Sequence, residues 1–314
     1  MAVASLEVRY RAATEAAALL DRSERGKLAL SGSQAAEFLD SLLSNDIASI
    51  ETGHGASAAL LTHKGRLLAD VRVLRSVDEL ELDCERAALQ ALFDALSGYR
   101  IGYDAELHKR TLQRGLLSLI GPGGDALLDR APGTVEHDHV EAAIDGRAVR
   151  LIRTDVGIDV LCTSEDSEAI AAALVASGAE PIDEQTAEIV RIESGRPRFG
   201  VELDETTMPQ EAGIHERAVS YSKGCYIGQE TVARLYWKGK PNRHLRGLRF
   251  AGPAERGATL ALAGREVGAV GSVAQSPRLG TIGLALLRRE AEPGAALEVS
   301  GGGSAIVSDL PFER

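Results

Sequence analysis

Residues 223–230, KGCYIGQE, set Cys225 between Gly224 and Gly228, two positions after Lys223, at the head of the run GQETVARLYW. Those residue types in that order suit thiolate chemistry. A cysteine acts as a nucleophile or ligand when it is ionised, and a nearby cation and the positive end of a helix both favour ionisation. A helix beginning at Gly228 or Gln229, with Glu230 in its first turn, would supply the second feature. The glycines would let the backbone turn and let a ligand approach it. Cys84 and Cys162 instead stand in alternating or apolar segments, where cysteine is a small hydrophobe. There is no CxxC and no metal-type spacing, so the sequence predicts neither a disulfide framework nor a metal site, and it predicts a reducing, cytoplasmic setting. A cysteine hydrolase would require His215 or His244 to meet Cys225 in space.

The elements that must position this motif follow from periodicity. LALSG (28–32) reads as a strand end, and Ser33 as the cap of a helix with Phe38, Leu39, Leu42 and Leu43 on one side, ended by SND at 44–46. AALLTH and LLADVRVLR flank the turn Lys64-Gly65-Arg66, and ELELDC alternates through Leu80, Leu82 and Cys84, which together predict a small antiparallel sheet. A helix striped by Ala88, Leu92 and Leu96, with Gly98 as its cap, covers that sheet. Further helices are predicted over 164–177 and 183–194. GPGGDALL (121–128) lacks both the Lys-Ser/Thr of a phosphate loop and a dinucleotide fingerprint, and reads as a strand-to-helix turn. From about 245 onward, glycine-punctuated short apolar runs predict a small all-β barrel.

The 314 residues are 44% hydrophobic, enough for a sizeable core in two or three domains. A net charge of −11 opposes general binding to nucleic acid or to an anionic membrane. Early charges at Glu7, Arg9, Arg11 and Glu15 argue against a secretory leader, and no apolar stretch reaches transmembrane length. One stretch departs from the acidic average. From Thr231 to Ala254 no acid occurs, while Arg234, Lys238, Lys240, Arg243, Arg246 and Arg249 do.

KGCYIGQETVAR resembles the KGCYxGQExVAR signature of the YgfZ family of folate-binding proteins. FLDSLLSNDI, LLTHKGRLLADVRV, RIESGRPRFGVELDETTMPQEAG and the terminal DLPF are similar to further segments of that family and of the related aminomethyltransferases, the T-proteins of glycine cleavage, so the likeness spans about residues 20–314. It implies an α+β, three-lobed cloverleaf with two interleaved α/β lobes and a C-terminal small β-barrel. The first lobe would combine 1–47 with 110–200, the second 48–109 with 201–241, and the barrel would span 242–314.

The resemblance also implies a ligand, tetrahydrofolate or a derivative, and roles for particular residues. Asp70 aligns with the aspartate that faces the reactive folate nitrogens, and is expected to be catalytic together with Cys225. Glu193 aligns with the glutamate that holds the pterin, whose ring NH and amino group one carboxylate accepts together. Phe199 stands where T-proteins usually carry tyrosine and keeps the stacking face. Arg191 would orient Glu193 or pair with another acid, and Tyr226 joins the folate-binding set. Lys223 and Arg234 would meet the anionic end of folate, with Lys238, Lys240 and Arg243 peripheral, and Trp237 is expected in the core. The leading reading is a tetrahydrofolate-binding accessory protein for assembly or repair of iron-sulfur enzymes, with iron-sulfur proteins or their assembly factors as partners. The alternative is a tetrahydrofolate-dependent aminomethyltransferase or methyltransferase. No stably bound metal is expected, because a lone cysteine is too few for a cluster.

Overall fold

A computed structural model describes residues 4–313, and by compactness the chain divides into two units. The first contains residues up to Leu61, Leu68–Ala187 and Arg217–Ile227. Its elements are α1 (Leu6–Glu15), β1 (Ala18–Asp21), β2 (Gly26–Ser31), α2 (Ala35–Leu42), β3 (Gly55–Leu61), β4 (Leu67–Arg75), β5 (Leu80–Cys84), α3 (Leu89–Tyr99), β6 (Glu106–Lys109), β7 (Arg114–Ile120), β8 (His139–Ile144), β9 (Arg147–Thr154), β10 (Gly157–Thr163), α4 (Ser167–Ala176) and β11 (Glu180–Pro181). They form a five-stranded sheet, β3-β4-β5-β2-β6, and a six-stranded sheet, β11-β1-β7-β10-β9-β8. The β8–β9 hairpin is closed by Asp145 and Gly146, both at positive φ, the conformation a two-residue turn needs to match strand twist.

Strand alternation decides what each sheet face does. In the six-stranded sheet Leu117, Leu119, Val149, Leu151, Ile158, Val160 and Cys162 point to one side and close a core with Ile170 and Leu174 of α4. From the other side Leu116, Ile152 and Leu161 meet Leu74 of β4. Around this apolar patch the layer between the sheets is ionic, with Arg72 on Asp159 and Arg150 on Glu81. Two local expectations are corrected. α2 is capped by Gln34 rather than Ser33, whose hydroxyl is held by Asp104, and Gly98 lies inside α3 rather than ending it.

The second unit contains Thr62–Leu67, Glu188–Glu216 and the described chain from Gly228 onward. Two helices cross the division between the units, α5 (Glu184–Glu193) and α6 (His215–Ala218), and α7 spans Gln229–Lys238. The terminal strands are β12 (Arg243–Phe250), β13 (Thr259–Leu262), β14 (Arg265–Ala269), β15 (Ser272–Ser276), β16 (Gly280–Arg288), β17 (Ala296–Val299) and β18 (Ser304–Ser308). They form one antiparallel sheet, ordered β14-β13-β17-β18-β12-β16-β15, as the glycine-punctuated apolar runs predict. Ile192 of α5 packs with Ile282, Leu284 and Phe312, which fixes the end of that helix on the sheet. Among the described residues, no helix is long and apolar enough to cross a membrane.

Candidate functional site

In the first unit the KGCY segment is clamped by the SND that follows α2. Ser44 donates its hydroxyl to Ala218 O (2.6 Å) and accepts from Ala59 N (2.9 Å), while the Asn45 amide donates to Ser57 O (2.7 Å) and Arg217 O (3.1 Å). Lys223 completes the clamp. Its ammonium donates to the carbonyls of Asp40, Leu43 (3.0 Å) and Asn45 (2.9 Å), with the Asp40 carboxylate at 3.1 Å. The Asp40 and Leu43 carbonyls belong to the C-terminal end of α2, where a helix leaves acceptors unsatisfied and its dipole favours a cation. All three ammonium protons are taken, so Lys223 has none to offer a ligand, which revises its expected part in holding the anionic end of folate. Burial lowers its pKa and Asp40 opposes that shift.

Tyr226 lies with its ring 5.4 Å from the Lys223 ammonium. It is buried and its hydroxyl has no hydrogen-bond partner, and burial pushes its pKa up to about 12. Cys225 is exposed, while Cys84 and Cys162 are buried, as their different sequence settings predict. Burial, reinforced by the Asp83 charge, pushes the Cys84 thiol up to about 12.

Asp70 sits on β4 with Oδ1 buried and unpartnered. Loss of water around the carboxyl raises its pKa to about 6; the Arg25 charge opposes this, and Glu85 and Asp83 reinforce it. The sequence reading missed Arg25, Asp83 and Glu85. Their signal was the polar alternation Glu81, Asp83, Glu85, complementary to the apolar Leu80, Leu82, Cys84.

In the second unit α7 begins at Gln229, as the motif predicts, with Gly228 at φ +83°. A side chain at Gly228 would come within 2.4 Å of Thr62 O, so this glycine seats α7 against the 62–66 turn. That turn is closed by Thr62 N donating to Arg66 O (2.8 Å). Gly224, by contrast, would meet nothing within 4 Å.

Glu193 ends α5, accepts from the Ser276 hydroxyl and faces Arg278 at 3.4 Å. Gly195, at φ +68°, stands where a side chain would meet Leu310 Cβ at 2.8 Å, which explains the glycine in RIESG. Arg191 takes the second of its two expected roles. It pairs with Glu188 and with the fully buried Glu202 (3.2 Å), and it also donates to Ser272 and to Arg196 O. Phe199 is half-buried and bridges to Leu203. Arg234 is exposed on α7, and no ion pair among the described residues holds it. Trp237 corrects the core expectation: it is 68% exposed, with its ring edge-on to Tyr236 at 4.8 Å. α7 buries only Val232, so Trp237 falls on its outward side. Among the described residues, no group of three His, Cys, Asp or Glu could hold a metal ion.

Comparison with known proteins matches residues 3–223 to the GCVT N-terminal domain and residues 243–312 to the glycine cleavage T-protein C-terminal barrel domain. An aminomethyltransferase of Saccharopolyspora erythraea is 31% identical, covering 97% of this chain and 89% of that protein. One from Rubrobacter xylanophilus is 28% identical over 93% of this chain and 81% of its own. A chloroplastic protein of Arabidopsis thaliana, described by name as a transferase, is 27% identical over 94% and 71%. The crystal structure of the glycine cleavage system aminomethyltransferase T from Bartonella henselae superposes with a TM-score of 0.88 at 24% identity, covering 98% of this chain and 90% of that one. The α+β fold is thus that of an aminomethyltransferase T-protein.

Proposed function

The chain belongs to the glycine cleavage T-protein family, and on that premise we propose that it binds tetrahydrofolate or a derivative. The observation that carries this is Asp70 Oδ1, buried with no partner at the position the family turns toward the folate nitrogens. A buried acceptor without a donor is what a polar ligand completes. The unpartnered Tyr226 hydroxyl supports the same reading. In the second unit, Glu193 offers a carboxylate, the group that can accept a ring NH and an amino group together. Phe199 would stack, and Arg234 would meet the anionic tail. The three-lobe division is kept as part of this proposal, supported at its last boundary by the separate barrel match from residue 243.

We take the finer function to be an accessory role toward iron-sulfur proteins in a reducing cytoplasm, with Cys225 as the working thiol. Its support is that the cysteine of the KGCYIGQE motif is exposed, where a protein partner can reach it. A second reading, a folate-dependent aminomethyltransferase or methyltransferase, is favoured by Asp70 as a carboxyl able to hold or release a proton near neutral pH. The names of the relatives speak for this second reading more directly than for the first.

Tetrahydrofolate at one hundred times its Kd should stabilise the protein by about 2.7 kcal/mol, and absence of any shift in thermal unfolding removes both readings. Cys225→Ala should lower iron-sulfur enzyme activities in cells. If it leaves them intact while Asp70→Asn abolishes one-carbon transfer by the purified protein, the second reading replaces the first.

A further inference from the structure

Packing in the second unit fixes where the Glu193 side chain begins but not where its carboxylate points. Ile192 sits among Ile282, Leu284 and Phe312, Leu310 closes on Gly195, and the Glu193 carbonyl accepts from Phe312 N (3.0 Å). These contacts hold the backbone at the end of α5. The carboxylate beyond it takes a fixed direction only from polar partners. The partner on Oε1 is Ser276, the last residue of β15. SPRLG (276–280) turns from β15 into β16, with Pro277 restricted in φ, and the Ser276 hydroxyl accepts from Arg278 N (3.1 Å) and Leu279 N (3.0 Å). A hydroxyl has one proton and two lone pairs. The turn takes both lone pairs, so the proton is directed to Glu193 Oε1, at 2.5 Å. Ser276 is 5% exposed and Glu193 9%, which shields the bond from competing water. Arg278 reaches the other oxygen from further off, at 3.4 Å, with a side chain that is partly exposed.

We propose that Ser276 is a positioning residue for Glu193: a hydroxyl whose own direction is dictated by the 276–279 turn pins Oε1 as an acceptor and so aims the carboxylate at its ligand. The bond runs one way. Because the turn leaves Ser276 nothing but its proton to give, Oε1 is held as an acceptor, and a ligand edge meeting it must bring donors too. Two adjacent N–H donors are the edge that one carboxylate accepts together. The role at the ligand rests on the proposed folate site, but the coupling of Ser276 to Glu193 does not.

The test is a double-mutant cycle in the full chain, read first without ligand. Ser276→Ala removes the bond to Glu193 and also strips the Arg278 and Leu279 N–H groups of their acceptor. The second loss is the same whichever residue stands at 193, so it cancels in the cycle. Ser276→Ala should therefore lower the urea midpoint about twice as far in the wild type as in Glu193→Ala, and equal falls overturn the proposal. Calorimetry with tetrahydrofolate then reads the orientation. Ser276→Ala should weaken binding about tenfold, the scale of a hydrogen bond to a charged group, and Ser276→Thr, which keeps the hydroxyl, should recover it to within about threefold. Unaltered affinity in the alanine variant overturns the proposal. So does a threonine variant that unfolds with the wild type yet binds no better than the alanine one. A coupled Ser276 and Glu193 in a wild-type chain that binds no tetrahydrofolate overturns the folate site instead and leaves the coupling standing.

Discussion

The two units treat their charged candidates in opposite ways. In the first, the cation is engaged and the acid is bare: Lys223 gives all its protons to three carbonyls, while Asp70 keeps a buried oxygen with no partner. In the second, the acid is held and the cation is free: Glu193 accepts from Ser276 and faces Arg278, while Arg234 stands exposed on α7. A charge that matters to a ligand must have valence left over after folding, and residue type alone does not say which charges do. The difference assigns Lys223 to architecture and makes Asp70 and Arg234 the groups with capacity to spare.

Breaking the contacts of Lys223 should have the largest effect. Lys223→Met leaves the carbonyls of Asp40, Leu43 and Asn45 without their donor at a site where the side chain is 2% exposed. Buried acceptors left unsatisfied cost about 1 to 3 kcal/mol each, and partial relaxation brings the expected loss to about 3 kcal/mol in urea unfolding. A loss below about 1 kcal/mol would return Lys223 to the pool of ligand cations.

Asp70 should act in the opposite direction. Its carboxyl has a folded pKa raised to about 6 from an ordinary 3.8, so between pH 4 and 6 the folded chain binds more protons than the unfolded one. Stability therefore falls as pH rises through that window, and the penalty is complete above it. Asp70→Asn removes the penalty. The variant should come within about 0.5 kcal/mol of the wild type at pH 4 and exceed it by about 3 kcal/mol at pH 7.5, read by denaturant unfolding at both pH values. A variant less stable at pH 7.5 would mean that the aspartate is satisfied by something not yet identified.

Much of the scaffold was legible because it rests on local patterns. The alternation in ELELDC gives β5, and the KGCYIGQE glycine and glutamate give the start of α7 at Gln229. The T-protein fold and the places of Asp70 and Glu193 were legible only through resemblance, since an acid on a strand and an acid at a helix end carry no mark of a ligand. What stayed hidden was partnership across long sequence separations. Lys223 and the Asp40 carbonyl are 183 residues apart, and Arg25 and Asp83 are 58 apart, so only the folded register could show which charges were taken. Trp237 misled for a related reason: an indole is usually core, but the phase of α7 is set by the small Val232, which turns Trp237 outward.

In the second unit, Glu193→Gln keeps an acceptor for the Ser276 hydroxyl and loses the charge facing Arg278, itself partly exposed. A loss of about 0.5 to 1 kcal/mol is expected, and a loss above 2 kcal/mol would show Glu193 to be tied into the fold no less firmly than Lys223.

Arg234 should give the smallest effect on stability and the most selective one on binding. An exposed side chain with no ion pair contributes within about 0.5 kcal/mol, so Arg234→Ala should unfold with the wild type. Its charge should still be felt by a ligand bearing carboxylates at its far end. Affinity for tetrahydrofolate should drop about fivefold at low ionic strength and by less at 0.5 M salt, where the screening length is only a few ångströms. A pterin lacking the glutamate should bind the variant and the wild type alike. Calorimetry with the two ligands separates these outcomes: equal losses for both would assign Arg234 to the pterin end or to folding, and no loss for either would leave it a solvated charge. Only a loss confined to the carboxylate-bearing ligand makes the free cation of the second unit the counterpart of the bare acid of the first.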